Sequence, residues 1–282
     1  MSQNESKERL ESLKYTGLFL LFIILMPLLP ILSLITPLPI LLLTIKHPRS
    51  ALIYPAILLL IVTLTSENPY TVGIFLAPVL IGITMGICYR VKHTTGTDIA
   101  LVGVVSGVIS SWIIIWIAQS LFGFLDLLDQ KLNQTWSTMG IYEQLEPPQL
   151  VDYLPVMIFL FVICMVLINI WIMNKRLIRA EFPGKYITPF SKWKLPRIFL
   201  YFFVILMLVS LWNGENSWLM GILNVLYLLF MIQGAAFTSF WLKSRDWSQK
   251  WMIGLVLFHI VFPLPFLILG MVDIGTSIRK KI

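Results

Sequence analysis

The sequence predicts an all-α fold, a polytopic transmembrane helix bundle of about eight to ten membrane segments. Three observations predict it. Hydrophobic residues make up 58% of the 282 residues and charged residues only 12%, about half the charged share of a soluble domain. Apolar runs of near-span length recur along the whole chain, where a membrane helix needs about 20 such residues. Basic residues fall in alternate loops: fourteen of the 21 lie in four loops that hydropathy puts on one side. Lys175, Arg176, Arg179, Lys185, Lys192, Lys194 and Arg197 share one loop; Lys46 with Arg49, Arg90 with Lys92, and Lys243 with Arg245 and Lys250 occupy the others. The intervening loops hold one basic residue, Lys131, against seven acids. Basic residues accumulate in cytoplasmic loops. The expectation is therefore a bacterial cytoplasmic (inner) membrane protein with its basic loops cytoplasmic.

Residues 1–14 form a polar N-terminal tail in which Glu5, Glu8 and Glu11 balance Lys7, Arg9 and Lys14. No small-residue cleavage site follows the first apolar run, so the first span reads as uncleaved. Residues 18–45 are apolar for longer than one span requires, about 42 Å as a single helix. Pro27, Pro30, Pro37 and Pro39 interrupt them. Proline inside a helix removes a hydrogen bond and clashes with the preceding turn. Two short helices, near 15–29 and 38–45, joined by an irregular segment, are the preferred reading. That hairpin puts the N-terminus on the side of Lys46 and Arg49; a single span puts it opposite.

The next spans are 52–65, extended back to 50, and 70–89, joined by a tight turn ending at Pro69. Residues 99–121 follow, with Gly103, Gly107 and Ser111 at four-residue spacing, a seam for close helix approach. In the loop 122–149, Leu125, Leu128 and Leu132 recur at helical spacing among Asp126, Asp129 and Lys131. They read as an amphipathic helix, lying either on the membrane surface or on the bundle. The span 153–174 leads into the basic loop 177–197. Spans 198–212 and 218–242 follow, separated by the polar turn 213–216. Residues 251–278 repeat the first ambiguity, with Pro263 and Pro265 near their middle. A hairpin there puts Arg279, Lys280 and Lys281 with the basic loops; one kinked span puts them opposite.

Several segments resemble the YybS-like family of bacterial membrane proteins, a family of unknown function. They are Pro37-Leu38-Pro39 followed by Lys46-His47, Pro189 to Pro196, Asn224 through Gln233-Gly234, and Gly270-Met271-Val272-Asp273 running to Arg279-Lys280. The run Pro39 to His47 is also similar to the substrate-binding (S) subunits of energy-coupling-factor transporters. That resemblance implies six helices in residues 15–176 and a small-molecule pocket opening outward, with additional transmembrane segments in 198–282. The first apolar helix has Gly17 as its only glycine and no alanine, so it lacks the small-residue face those subunits use for docking.

Ionisable residues at membrane depth are functional candidates. His259 and Asp273 are such residues; Asp273 is either a site group or the partner of Arg279 or Lys280. Asn224 and Gln233 either join neighbouring helices or line a pocket. The candidate pocket or polar network is thus Pro37, Pro39, Asn224, Gln233, His259 and Asp273. Lys192, Trp193 and Lys194 form a candidate docking loop, or else anchor the chain at the lipid headgroups.

The chain has no nucleophile elbow, no zinc-protease pair and no phosphate-binding loop. The expectation is no enzyme activity, no cofactor and no bound metal. Cys88 and Cys164 lie in apolar spans and read as packing residues. The net charge of +7 follows from the loop bias, so no nucleic-acid partner is expected. The partners expected are the lipid bilayer, with a small-molecule solute or a membrane or cytoplasmic protein. The first functional reading is a small-solute binding or transport protein, because broken helices mark transporter sites. The second is a non-transporting scaffold for an enzyme or cell-envelope complex.

Overall fold

The computed structural model describes residues 3–65, 69–138, 150–179, 182–213, 217–247, 251, 254, 262–276 and 278–280. Its regular elements are all helical, with no strand among the described residues. They are α1 (Gln3–Leu25), α2 (Pro37–Lys46), α3 (Pro48–Thr65), α4 (Pro69–Arg90), α5 (Gly96–Phe122), α6 (Phe124–Thr138), α7 (Leu150–Arg179), α8 (Ile198–Asn213), α9 (Ser217–Ser244) and α10 (Pro263–Gly275). Among the described residues, three stretches are long and apolar enough to cross a membrane: Gly96–Phe122, Tyr153–Arg179 and Leu219–Ser244. Shorter apolar helices accompany them, among them Pro48–Leu64, Phe75–Arg90 and Ile198–Trp212. The chain divides into two compact units, one of residues 1–147 and 158–187, the other of 148–157 and 188–282.

In the first unit the polar residues 3–14 are helical and continuous with the apolar part of α1. The proline break is present. α1 stops at Leu25, a 3-10 turn covers Pro30–Leu34, and α2 begins at Pro37. The residue before a proline is pushed out of the helical region, which ends α1 ahead of Pro27. Pro37 and Pro39 fall in the first turn of α2, whose amides have no partner inside the helix, so proline costs little there. Residues Pro37 through Ile45 are all buried, as expected for a helix apolar on every side.

α4 lies directly on α2. A Cβ on Gly82 would come 2.9 Å from the Ile40 Cβ, and one on Gly86 would come 2.5 Å from the Thr44 Cβ. The predicted seam on α5 is also occupied: Gly103 faces Met85 and Val166, and Gly107 faces Val162 and Ile81. A capping box between Thr95 and Asp98 starts α5, and Gly123 in the left-handed region (φ 57°) ends it. The Gln119 side chain then accepts a hydrogen bond from the Leu125 amide at 2.7 Å. α6 has the expected two faces: Leu125 is buried, Asp126 and Lys131 are exposed, and Asp129 is half-buried.

One end of this unit gathers its basic loops. Lys46 donates to Glu11 at 2.5 Å, and the His47 ring lies 3.1 Å from the same carboxylate. The Lys46 hydrogen bond holds the Glu11 carboxyl below its usual range, against the opposing effect of burial. Arg90 donates to the Ile45 carbonyl at 2.7 Å, and Lys185 to the Val91 carbonyl at 2.6 Å. The start of α1, the 46–49 corner, the loop after α4 and the segment around Lys185 therefore share one side. This is the arrangement the N-terminal hairpin requires.

In the second unit Phe203 meets Tyr227 and Phe230 edge to face, with centroids 5.3 and 5.1 Å apart. Leu223, Leu226 and Ile274 complete this core. α9 and α10 cross at Gly234 and Gly270. A Cβ on Gly234 would strike the Phe266 carbonyl, and one on Gly270 the Phe230 carbonyl. Phe266 and Phe230 each stand four residues before one of these glycines, so the contact is reciprocal. α9 ends in a Schellman turn: Trp247 N–H donates to the Leu242 carbonyl and Asp246 N–H to the Lys243 carbonyl. Asp246 takes the left-handed position (φ 54°) that usually falls to glycine.

Candidate functional site

The site lies in the second unit, where α9, α10 and the irregular segment 188–197 meet. Gln233 projects from α9 and is 2% exposed; Asp273 projects from the last turn of α10 and is 0% exposed. Gln233 Nε2 donates to Asp273 Oδ2 at 2.5 Å. Arg279, beyond α10, folds back onto the same carboxylate. Its Nε donates to Oδ1 at 2.8 Å and its Nη2 to Oδ2 at 2.6 Å, a bidentate pair. The Arg279 side chain is 12% exposed, and its guanidinium lies 5.3 Å from the Phe240 ring centroid.

Besides joining α9 to α10, the network holds main chain. Gln233 Oε1 accepts from the Leu195 amide at 3.0 Å, while Nε2 also donates to the Trp193 carbonyl at 3.3 Å. One side-chain amide thus grips two backbone groups two residues apart, as a neighbouring peptide would. Arg279 Nη1 donates to the Ser191 carbonyl at 2.8 Å. Three consecutive odd positions of the strap, 191, 193 and 195, are fixed this way. Trp193 Nε1 donates to the Thr188 carbonyl at 2.9 Å, and its ring packs edge-on to Phe190 at 5.4 Å. Lys194 reaches the Thr276 carbonyl at the C-cap of α10, at 3.2 Å, where a cation is favourable. Lys192, Lys194 and Arg197 are exposed.

The candidate residues therefore separate. Gln233 and Asp273 come together, with Trp193 and Lys194 on the same network. Asn224 is half-buried on α9, nine residues before Gln233 and about 14 Å away along the helix. Pro37 and Pro39 belong to the other unit, and His259 lies outside the described residues. Of the two readings weighed for Gln233, interhelical hydrogen bonding or a pocket wall, the structure shows interhelical hydrogen bonding, to Asp273. Neither reading included its second role, which is to grip irregular backbone. Asn174 does the same in the first unit: its Nδ2 donates to the Lys185 carbonyl at 2.9 Å, and its Oδ1 accepts from the Lys185 amide at 3.0 Å. At the site, Arg279 entered the sequence reading as a partner for Asp273. Its contacts with Ser191, Phe237 and Phe240 have no local pattern in the chain, because they join positions far apart.

Asn169, on α7 in the first unit, is different. Its Nδ2 donates to the Leu34 carbonyl at 2.7 Å and the Met165 carbonyl at 2.6 Å. Its buried Oδ1 has no hydrogen-bond partner, which is unusual for a buried polar atom. A groove of about 470 Å³ between α4 and α5 is lined by Leu80, Leu101, Val105, Ile109 and others. Its lining is apolar apart from hydroxyls such as the Thr84–Ser106 pair, 2.8 Å apart. Among the described residues, no three of His, Cys, Asp and Glu are grouped to share a metal ion.

Residues 15–274 match the family described as predicted membrane protein (DUF2232). The chain belongs to that family. It is a membrane protein in contact with the lipid bilayer, and the match includes both units and the site residues Gln233 and Asp273. No curated protein and no solved structure matches the chain.

Proposed function

We propose that this DUF2232 protein is a non-transporting membrane scaffold that presents the strap 188–197 to a protein partner of an enzyme or cell-envelope complex. The observation carrying this reading is the use of the buried polar groups. Gln233, Asp273 and Arg279 direct their hydrogen bonds to one another and to the backbone at Ser191, Trp193 and Leu195. A buried ion pair adds little net stability compared with apolar packing, but it can specify one arrangement. Here the arrangement specified is a fixed, cationic, aromatic-bearing strap. The sidedness of the basic residues supports placing the strap on the cytoplasmic face of a bacterial inner membrane. The YybS-like resemblance adds a family context but no activity, and no catalytic or cofactor role is assigned.

A second reading has its own observation. Asn169, whose Oδ1 is unpartnered, holds the Leu34 carbonyl in the proline-broken segment before α2, within residues 15–176, the region of the resemblance to transporter S subunits. A solute with a hydrogen-bond donor would satisfy it, making the first unit a binding or transport module.

The two readings are separated by one pair of experiments on the full chain. Co-purification from native membranes compares wild type with the Lys192→Glu/Lys194→Glu double variant. Thermal unfolding is followed with a panel of vitamins, nucleobases and amino acids. The scaffold reading expects a defined partner lost in the double variant and no stabilising solute. Retention of every partner, together with a solute that stabilises wild type but not Asn169→Leu, would move the assignment to solute binding.

A further inference from the structure

A second built feature stands at the end of α9, and it uses none of the strap's residues. The Schellman turn folds the chain back so that Trp247 packs on Trp241, with ring centroids 5.9 Å apart, and Trp251 packs on Trp247 at 5.3 Å. The Arg245 guanidinium lies 5.3 Å from the Trp241 ring centroid, and Lys243, two residues earlier in the last turn of α9, is exposed. We propose that this hook binds the headgroup of an anionic phospholipid in the leaflet where α9 ends.

Position, charge and shape support the assignment. Leu219–Ser244 is long and apolar enough to cross a membrane, so its last turn falls at the headgroup level, where tryptophan concentrates. Among the described residues no carboxylate forms an ion pair with Lys243 or Arg245. A guanidinium lying over an aromatic ring still has N–H groups to donate to a phosphate. Trp247 and Trp251 are 47% and 60% exposed. Inorganic phosphate has no use for that apolar ring surface, whereas a lipid's glycerol and upper acyl carbons do.

The test uses the full chain in mild detergent, with native mass spectrometry counting bound phosphatidylglycerol against phosphatidylcholine. Wild type is expected to prefer phosphatidylglycerol, and added salt should weaken the preference. The Lys243→Gln/Arg245→Gln double variant should lose one bound phosphatidylglycerol, its affinity falling roughly ten- to thirty-fold for two interfacial cations. Lys131→Gln should change nothing. An unchanged lipid count in the double variant, or equal binding of the two lipids, would overturn the proposal. Displacement by millimolar inorganic phosphate would overturn it too, by making this a free-phosphate site. Because the altered side chains are exposed, an unchanged melting temperature serves as the folding check.

Discussion

Gln233 and Asp273, forty positions apart in the chain, share a 2.5 Å hydrogen bond inside the second unit, and Arg279 closes the network over both. The carboxylate is fully buried and is held by these two partners. Replacing Arg279 by Gln leaves an uncompensated buried charge and should destabilise the protein by about 3–5 kcal/mol. Asp273→Asn, which removes the charge but keeps the shape, should cost less. The double variant should cost less than the sum of the two, since the residues act as one unit. Reversible unfolding in detergent measures all three; strictly additive values would show that the network is not coupled.

The glycines at the α9–α10 crossing should tolerate no side chain. Gly234→Ala or Gly270→Ala places a methyl against a backbone carbonyl, which cannot rotate away. Each should cost at least about 1–3 kcal/mol, the usual range for overpacking. Gly17 meets nothing within 4 Å, so Gly17→Ala should be neutral or stabilising by up to about 1 kcal/mol. Melting temperatures of the three variants give the comparison; an unperturbed Gly234→Ala would contradict the crossing.

The first turns of α1 should loosen in acid. The folded pKa of Glu11 lies below its unfolded value, chiefly through the Lys46 hydrogen bond. Its contribution is therefore complete above the ordinary glutamate pKa of about 4.3 and is lost as pH falls through the lower folded value. Proteolysis by an acid-active protease within residues 3–14 should rise across that window in wild type. In Lys46→Gln the rise should begin at higher pH. Identical profiles would remove Glu11 from the account.

The turn after α9 holds an aspartate where glycine is preferred. Asp246→Gly should stabilise the protein by about 1 kcal/mol, the cost of a left-handed residue bearing a Cβ. A loss of stability on unfolding would show that the Asp246 side chain has a role the backbone does not reveal.

Much of the fold was legible in the sequence. The prolines between 27 and 39 mark the break between α1 and α2 because they act on their immediate neighbours. Gly103 and Gly107 mark a close contact because small residues at four-residue spacing share a helix face. The site was half legible. Buried Gln233 and Asp273 stood out as polar residues in apolar runs, and Asp273 pairs with Arg279. What they hold did not stand out. The grip on Trp193 and Leu195 is made through backbone atoms, which any residue supplies, so no side-chain pattern announces it. Lys46 and Glu11, 35 positions apart, were hidden for a related reason: each looked like an ordinary surface charge until the hairpin brought them together.

The central claim, that buried side chains hold the strap, is tested most directly at one amide. Hydrogen exchange at Leu195 N–H, whose acceptor is Gln233 Oε1, should be slow in wild type. In Gln233→Leu it should accelerate at least tenfold, while amides in the middle of α5 stay unchanged. Equal exchange at Leu195 in the two proteins would mean that the strap holds its shape without Gln233, and the scaffold reading would lose its physical basis.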